Sequence, residues 1–132
     1  MADVPIGTKG EMKILVADEN AISFLGEGGA RVLGTPFMIC YMEMTARNSV
    51  KPFLDHAHDT VGVRVDIRHL AATPLHMHVT FRSELTGRED RRLIFKVEAF
   101  DNLEKVGDGT HVRAIIEVAK FTARVANKAS TV

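Results

Sequence analysis

The chain has 132 residues, 45% of them hydrophobic, with seven Phe and no Trp, which points to a single globular domain, 1–132, with room for a real core. Seventeen basic residues balance seventeen acidic ones, so net charge gives no reason to expect nucleic acid or an anionic membrane as partner. The single cysteine, Cys40, excludes an internal disulfide and fits a reducing cytoplasm. No apolar run approaches the roughly 20 residues of a membrane span, and residues 1–10 lack the basic-then-apolar order of a signal peptide.

Glu11 to Ala17 reads as a short first strand. The following Asp18 to Gly34 contains Gly26, Gly28, Gly29 and Gly34, a composition for a loop or short helix with mobile joints, placed where a lid would be. Thr35-Pro36 then announces a helix: threonine is a good N-cap, and proline suits the first helical position because its missing N–H costs nothing there. The spacing predicts a helix from Pro36 to about Val50, stopped by Pro52, with Ile39, Met42, Ala46 and Val50 on one stripe and Phe37, Met38 and Tyr41 widening it. A helix apolar on so many sides is expected to be wrapped by a sheet or a partner subunit.

From Thr60 the period becomes two. Val61, Val63, Val65 and Ile67 alternate with polar residues or glycine; Met77, Val79, Phe81 and Leu85 do the same, as do Leu93, Phe95, Val97 and Ala99. Lys105 to Arg124 reads as a long final β segment, and turn signals stand at Thr73-Pro74, Thr86-Gly87 and Asp101-Asn102. Closely spaced strands with short turns form an antiparallel meander. One long helix and one curved antiparallel sheet make an α+β arrangement in which the sheet wraps the helix.

Glu43 lies in the apolar part of this helix, where an ionised carboxylate is rarely kept without a partner or a task. If the odd phase of residues 61–67 continues, His69 points toward the helix that holds Glu43, and an imidazole facing a carboxylate is a general acid/base arrangement. A buried histidine satisfied by one hydrogen bond is the plainer alternative. Thr35 has two readings: a helix cap, or a hydroxyl beside free amides at a positive helix end, suited to a developing oxyanion or a bound phosphate. Eight residues of helix advance about 12 Å, so a single site using both Thr35 and Glu43 takes them from different subunits of a two-fold dimer. His56-Ala57-His58-Asp59 and His76-Met77-His78 are expected on solvated surface rather than around a metal. Cys40, amid apolar helix residues, is expected to pack inertly. Gly107-Asp108-Gly109-Thr110 lacks the setting of a phosphate loop and is read as a bulge or close backbone approach.

Thr35 with Glu43 eight residues on, His69 within Arg68-His69-Leu70-Ala71-Ala72-Thr73-Pro74, and Gly107-Asp108-Gly109-Thr110-His111-Val112-Arg113 resemble the hot-dog-fold thioesterases of the fluoroacetyl-CoA thioesterase type. The similarity runs from about residue 9 to 125. It implies a hot-dog fold, an antiparallel sheet around one long central helix, assembled as homodimers or as tetramers of paired dimers. It also implies hydrolysis of an acyl-CoA without cofactor or metal, with Thr35, Glu43 and His69 as catalytic residues and Gly62, Phe24 and Pro36 near the substrate. The sequence departs from that pattern ahead of Thr35, where the fluoroacetyl-specific enzyme carries phenylalanines over the acyl pocket. Here the segment is glycine-rich and offers only Phe24, and Pro36 replaces a glycine.

Two function classes follow. As an enzyme, Glu43 serves as nucleophile or as general base toward water, His69 moves the proton and Thr35 stabilises the oxyanion. As a binding module, the same fold captures an acyl-CoA or small acyl ligand without cleaving it. A hydratase ranks last, for want of a further Asp/His pair.

Overall fold

A computed structural model describes residues 3–132. The first strand, β1 (Lys9–Leu15), leads through a long loop to the helix α1 (Thr35–Val50), which ends in a single 3-10 turn at Lys51–Phe53. Strands β2 (His58–His69), β3 (His78–Glu89), β4 (Arg92–Phe100) and β5 (Lys105–Glu117) follow, and a second helix, α2 (Val118–Ser130), closes the chain. The five strands form one sheet in the order β1-β3-β4-β5-β2, with every pairing antiparallel. This is the α+β arrangement that the alternation and the single apolar helix imply, and the hot-dog fold that the resemblance implies.

Met38, Met42, Ala46 and Val50 of α1 are buried. They recur every four residues and lie against the inward side chains of the sheet, among them Val79, Phe81, Leu85, Phe95 and Val97. The expected stripe is therefore shifted by one residue at its start: Met38 enters the core, while Ile39 is half-buried. Gly107 makes that approach possible, since a Cβ there would come within 2.6 Å of the Met38 sulfur. Phe37 and Met44 remain exposed on the opposite side. Cys40 is exposed as well, so it does not pack among the apolar residues of the helix, contrary to the sequence expectation.

Two elements differ from the sequence expectation. The last β segment stops at Glu117, and residues from Val118 onward form α2, none of whose residues is buried. Its Val118, Phe121 and Val125 recur at helical rather than alternating spacing, which the period-two reading overlooked. The turn between β3 and β4 lies at Asp90-Arg91, with Asp90 at φ 57°, and not at Thr86-Gly87. Gly87 instead follows a register shift inside β3, a bulge that a lone glycine in a strand also permits.

The register of β2 decides where the site residues point. His69 pairs with Gly107, Ile67 with Gly109 and Val65 with His111; then the register shifts between Arg64 and Gly62, after which Gly62 pairs with Arg113 and Thr60 with Ile115. Paired residues share a sheet face. The bulge at Val63 therefore swaps the phase: odd positions face the helix after it, and Thr60 and Gly62 do so before it. The odd-position rule holds for Val65 to His69 and fails at Val61 and Val63.

Candidate active site

Thr35 opens α1, but it is not the cap. Gly34 occupies the N-cap position, with no side-chain cap hydrogen bond, and its carbonyl accepts from the Phe37 and Met38 amides. Asn20 fixes this junction: its carbonyl accepts from the Gly34 amide, its side chain accepts from Ala17 N–H, and its amide donates to the Leu15 carbonyl and the Tyr41 hydroxyl. Freed from capping, the Thr35 hydroxyl lies 2.7 Å from His69 Nδ1. The strap that carries His69 is equally tied down. The Leu70 amide donates to the Val106 carbonyl, the Leu33 amide donates to the Thr73 carbonyl, and the buried Thr73 hydroxyl donates to Asp101.

Burial holds the His69 imidazole below its ordinary pKa, with the Ala71 backbone pulling weakly the other way, so the ring is neutral at pH 7 and able to take a proton from the hydroxyl. A hydroxyl bonded to an imidazole at this distance has the geometry of an activated nucleophile and its base. His69 Nε2 is buried and has no hydrogen-bond partner among the described residues. The pair opens on a cleft of about 400 Å³ lined also by Ile22, Val32, Leu33, Leu70, Ala71 and Ala72. Phe24, 79% exposed, lines the same cleft. The glycine-rich segment around Phe24 is a loop, stitched at its base by the bridges Ala21–Leu33 and Val32–Pro74.

His69 thus faces the helix as expected, but it meets Thr35 and not Glu43. The imidazole beside Glu43 belongs to His111. Glu43 keeps 38% of its side chain exposed, and Oε2 accepts from Arg113 Nη1 at 3.3 Å. Arg113 is itself clamped: Nε donates to the Thr60 hydroxyl and Nη2 to the Thr60 carbonyl, both at 2.7 Å. Burial pushes the guanidinium pKa down while Glu43 pulls it up, and an arginine so placed stays charged. Gly62 sits directly opposite, and any Cβ there would collide with Glu43 Oε2. The glycine is what lets the carboxylate lie over β2. Pro36 is exposed in the first helical turn, and neither it nor Gly62 lines the Thr35–His69 cleft.

The sequence contains Arg113 and His111 within its third motif, yet gives them no role. Their signal was available: charged residues at alternate positions of a strand that is otherwise buried demand a partner. What hid the pairing was the bulge at Val63, since a straight β2 would turn Thr60 and Gly62 away from the helix.

Burial lowers the pKa of both His69 and His111 from the ordinary 6.5. Unfolded imidazoles then bind protons that the folded ones refuse, so stability is complete above about pH 6.5 and is lost progressively as pH falls below it. The melting temperature is expected to be level from pH 8 to about 6.5 and to decline toward pH 5, well before Asp59, held low by Arg47, is protonated. A melting temperature constant down to pH 5 contradicts this assignment.

The model of the fluoroacetyl-CoA-specific thioesterase family matches residues 16–119. The chain belongs to that family. Fluoroacetyl-CoA thioesterase of Streptantibioticus cattleyicolor is 38% identical over 97 residues, 74% of this chain and 70% of that one. A solved structure of a fluoroacetyl-CoA thioesterase superposes with a TM-score of 0.86 at 30% identity, covering 96% of this chain and 98% of the other. A Thermus thermophilus protein described as a thioesterase superfamily member gives a TM-score of 0.90 at 28% identity over 99% and 97% of the two chains. A variant of the fluoroacetyl-CoA-specific enzyme has been solved with fluoroacetate and CoA bound (TM-score 0.81, 30% identity, 89% of this chain and 99% of that one). As a member of the fluoroacetyl-CoA-specific thioesterase family, the chain is a thioester hydrolase acting on acyl-CoA. None of its described helices is long and apolar enough to cross a membrane.

Proposed function

We propose that the protein hydrolyses acyl-CoA thioesters at a site shared between two copies of the chain, with Thr35 and His69 from one and Glu43 from the other. The hydrogen bond of 2.7 Å between Thr35 and His69 is the observation that carries the reading. The Thr35 hydroxyl oxygen attacks the thioester carbonyl while its proton passes to His69. Collapse of the tetrahedral adduct breaks the C–S bond, and the proton on His69 goes to the departing CoA thiolate. Water then attacks the acyl-threonine, giving its proton to His69, and His69 returns a proton to Thr35 as the free acid leaves. Glu43 of the second copy completes the site as a carboxylate facing the reacting centre. A second reading, with Glu43 as base or nucleophile and Thr35 as oxyanion donor, has its own support: only Oε2 of Glu43 is engaged by Arg113, which leaves Oε1 for water.

Three features support the shared site. Thr35 and Glu43 are separated by about 12 Å of helix, and His69 Nε2 lacks an orienting partner among the described residues. β2 is an edge strand whose Val63 and Val65 stand 43% and 44% exposed, the kind of edge that a second copy covers. The cleft's lining beyond Thr35 and His69 is hydrocarbon, which fits an apolar acyl group better than a carboxylated one. The single cysteine, which cannot form an internal disulfide, supports a reducing, cytoplasmic setting for the enzyme.

A screen of acetyl-, fluoroacetyl-, butyryl-, hexanoyl- and succinyl-CoA, following released thiol, tests the reading. Multiple turnover is expected on the apolar acyl chains, with succinyl-CoA the poorest. Tight binding of the series without thiol release would make the chain a binding module instead.

A further inference from the structure

His111 is fully buried, and its two ring nitrogens face partners of opposite kind. Nδ1 lies 2.8 Å from the Arg64 carbonyl oxygen, which can only accept, so Nδ1 carries the proton. Nε2 lies 3.2 Å from Arg113 Nη1, which can only donate, so Nε2 is a bare acceptor. The tautomer is thereby fixed from both sides. The first bond ties the ring to the bulged stretch of β2, at Arg64. The second draws Nη1 of Arg113, the same nitrogen that donates to Glu43 Oε2 at 3.3 Å.

We propose that His111 is a positioning residue for thioester hydrolysis: its Nε2 holds the Arg113 guanidinium in the rotation that aims Nη1 at Glu43, and so sets the direction of that carboxylate. The two bonds to Thr60 anchor Nε and Nη2 of Arg113 and leave the Nη1 protons to be shared. With Nε2 as acceptor, one of these protons goes to His111 and the other remains for Glu43. Without it, Nη1 has one partner fewer and Glu43 loses a fixed donor. This inference rests on the shared-site reading above, because it gives His111 a task only if Glu43 takes part in the reaction.

Two substitutions separate the two bonds. His111→Asn places an amide nitrogen where Nδ1 stands, keeps the tie to Arg64 and removes the acceptor for Arg113. His111→Gln reaches the Nε2 position with its amide oxygen and gives up the tie. We expect His111→Asn to lower kcat by about 10²-fold, the scale of a misplacement of about 1 Å at a reacting group. KM should stay within a few-fold of wild type and the melting temperature should stay close to it. His111→Gln should recover most of the lost kcat. A folded His111→Asn protein with normal kcat overturns the proposal, and so does a His111→Gln protein that loses as much activity as His111→Asn. Nitrogen-15 shifts of the imidazoles in the wild-type protein give a test that needs no variant to fold: a His111 ring protonated at Nε2 overturns it outright. Glu43→Gln is assayed alongside. Its inactivity with normal His111→Asn kinetics removes the positioning role alone, whereas full activity in Glu43→Gln overturns both this inference and the shared-site reading.

Discussion

Thr35→Val is expected to leave a folded protein whose kcat is lower by at least about 10³-fold. Valine keeps the shape and the β-branch but has no oxygen to attack or to donate. Loss of a helix cap costs roughly 1 kcal/mol, yet Gly34 holds the N-cap position and no side chain caps the helix, so the stability change should be smaller still. Thr35→Ser restores the hydroxyl and should recover much of the rate, with some loss because serine's side chain is freer to rotate. His69→Ala should cost about 10²–10⁴-fold. Thr35→Val and His69→Ala act on one hydrogen-bonded pair, so the double variant should be little worse than the more damaged single one. Costs that multiply would instead place the two residues in separate steps. Rapid quench with a slowly hydrolysed acyl-CoA distinguishes the two chemical readings: an acylated Thr35 peptide identifies the nucleophile, and its absence under saturating substrate hands that role to Glu43 or to water.

Much of this site was legible in the sequence, and the part that was not has a geometric cause. Thr35, Glu43 and His69 stood out because each is a polar residue at a place the surrounding pattern reserves for apolar ones or for a helix end. The helix and the four strands after it follow from a change of period at Thr60, which needs no tertiary information. The pairing among the polar residues was another matter. Which face of β2 a residue occupies depends on the bulge at Val63, and one extra residue inverts every assignment on one side of it. The bulge misassigned Thr60 and Gly62; His69 was given the right face but the wrong height along the helix, where it meets Thr35, while β5 brings His111 and Arg113 to Glu43. Thr35 looked like a cap because threonine is a capping residue; the N-cap position falls one residue earlier, on Gly34, which leaves the Thr35 hydroxyl for His69. α2 was missed since Val118, Phe121 and Val125 can be read as the tail of an alternating strand until helical spacing is counted.

Mixing two inactive proteins should restore activity if the site is shared. In a mixed dimer of Thr35→Val and Glu43→Gln, one site carries both substitutions and the other carries neither. Random exchange makes about half of the dimers mixed, and one of their two sites is native, so about a quarter of wild-type activity is the ceiling under two-fold symmetry. The hydrogen bond between Thr35 and His69 lies within one chain, which adds a control with the opposite sign. His69→Ala mixed with Glu43→Gln should recover to the same ceiling. His69→Ala mixed with Thr35→Val should recover only if those two residues come from different chains, and the geometry says they do not. Subunit exchange is followed separately by mass spectrometry of differently labelled copies. With exchange complete, recovery in the first two mixtures and none in the third fits a site with Thr35 and His69 on one side and Glu43 on the other. No recovery in any mixture assigns all three residues to a single chain, and the 12 Å of helix between Thr35 and Glu43 would then leave Glu43 outside the reacting centre.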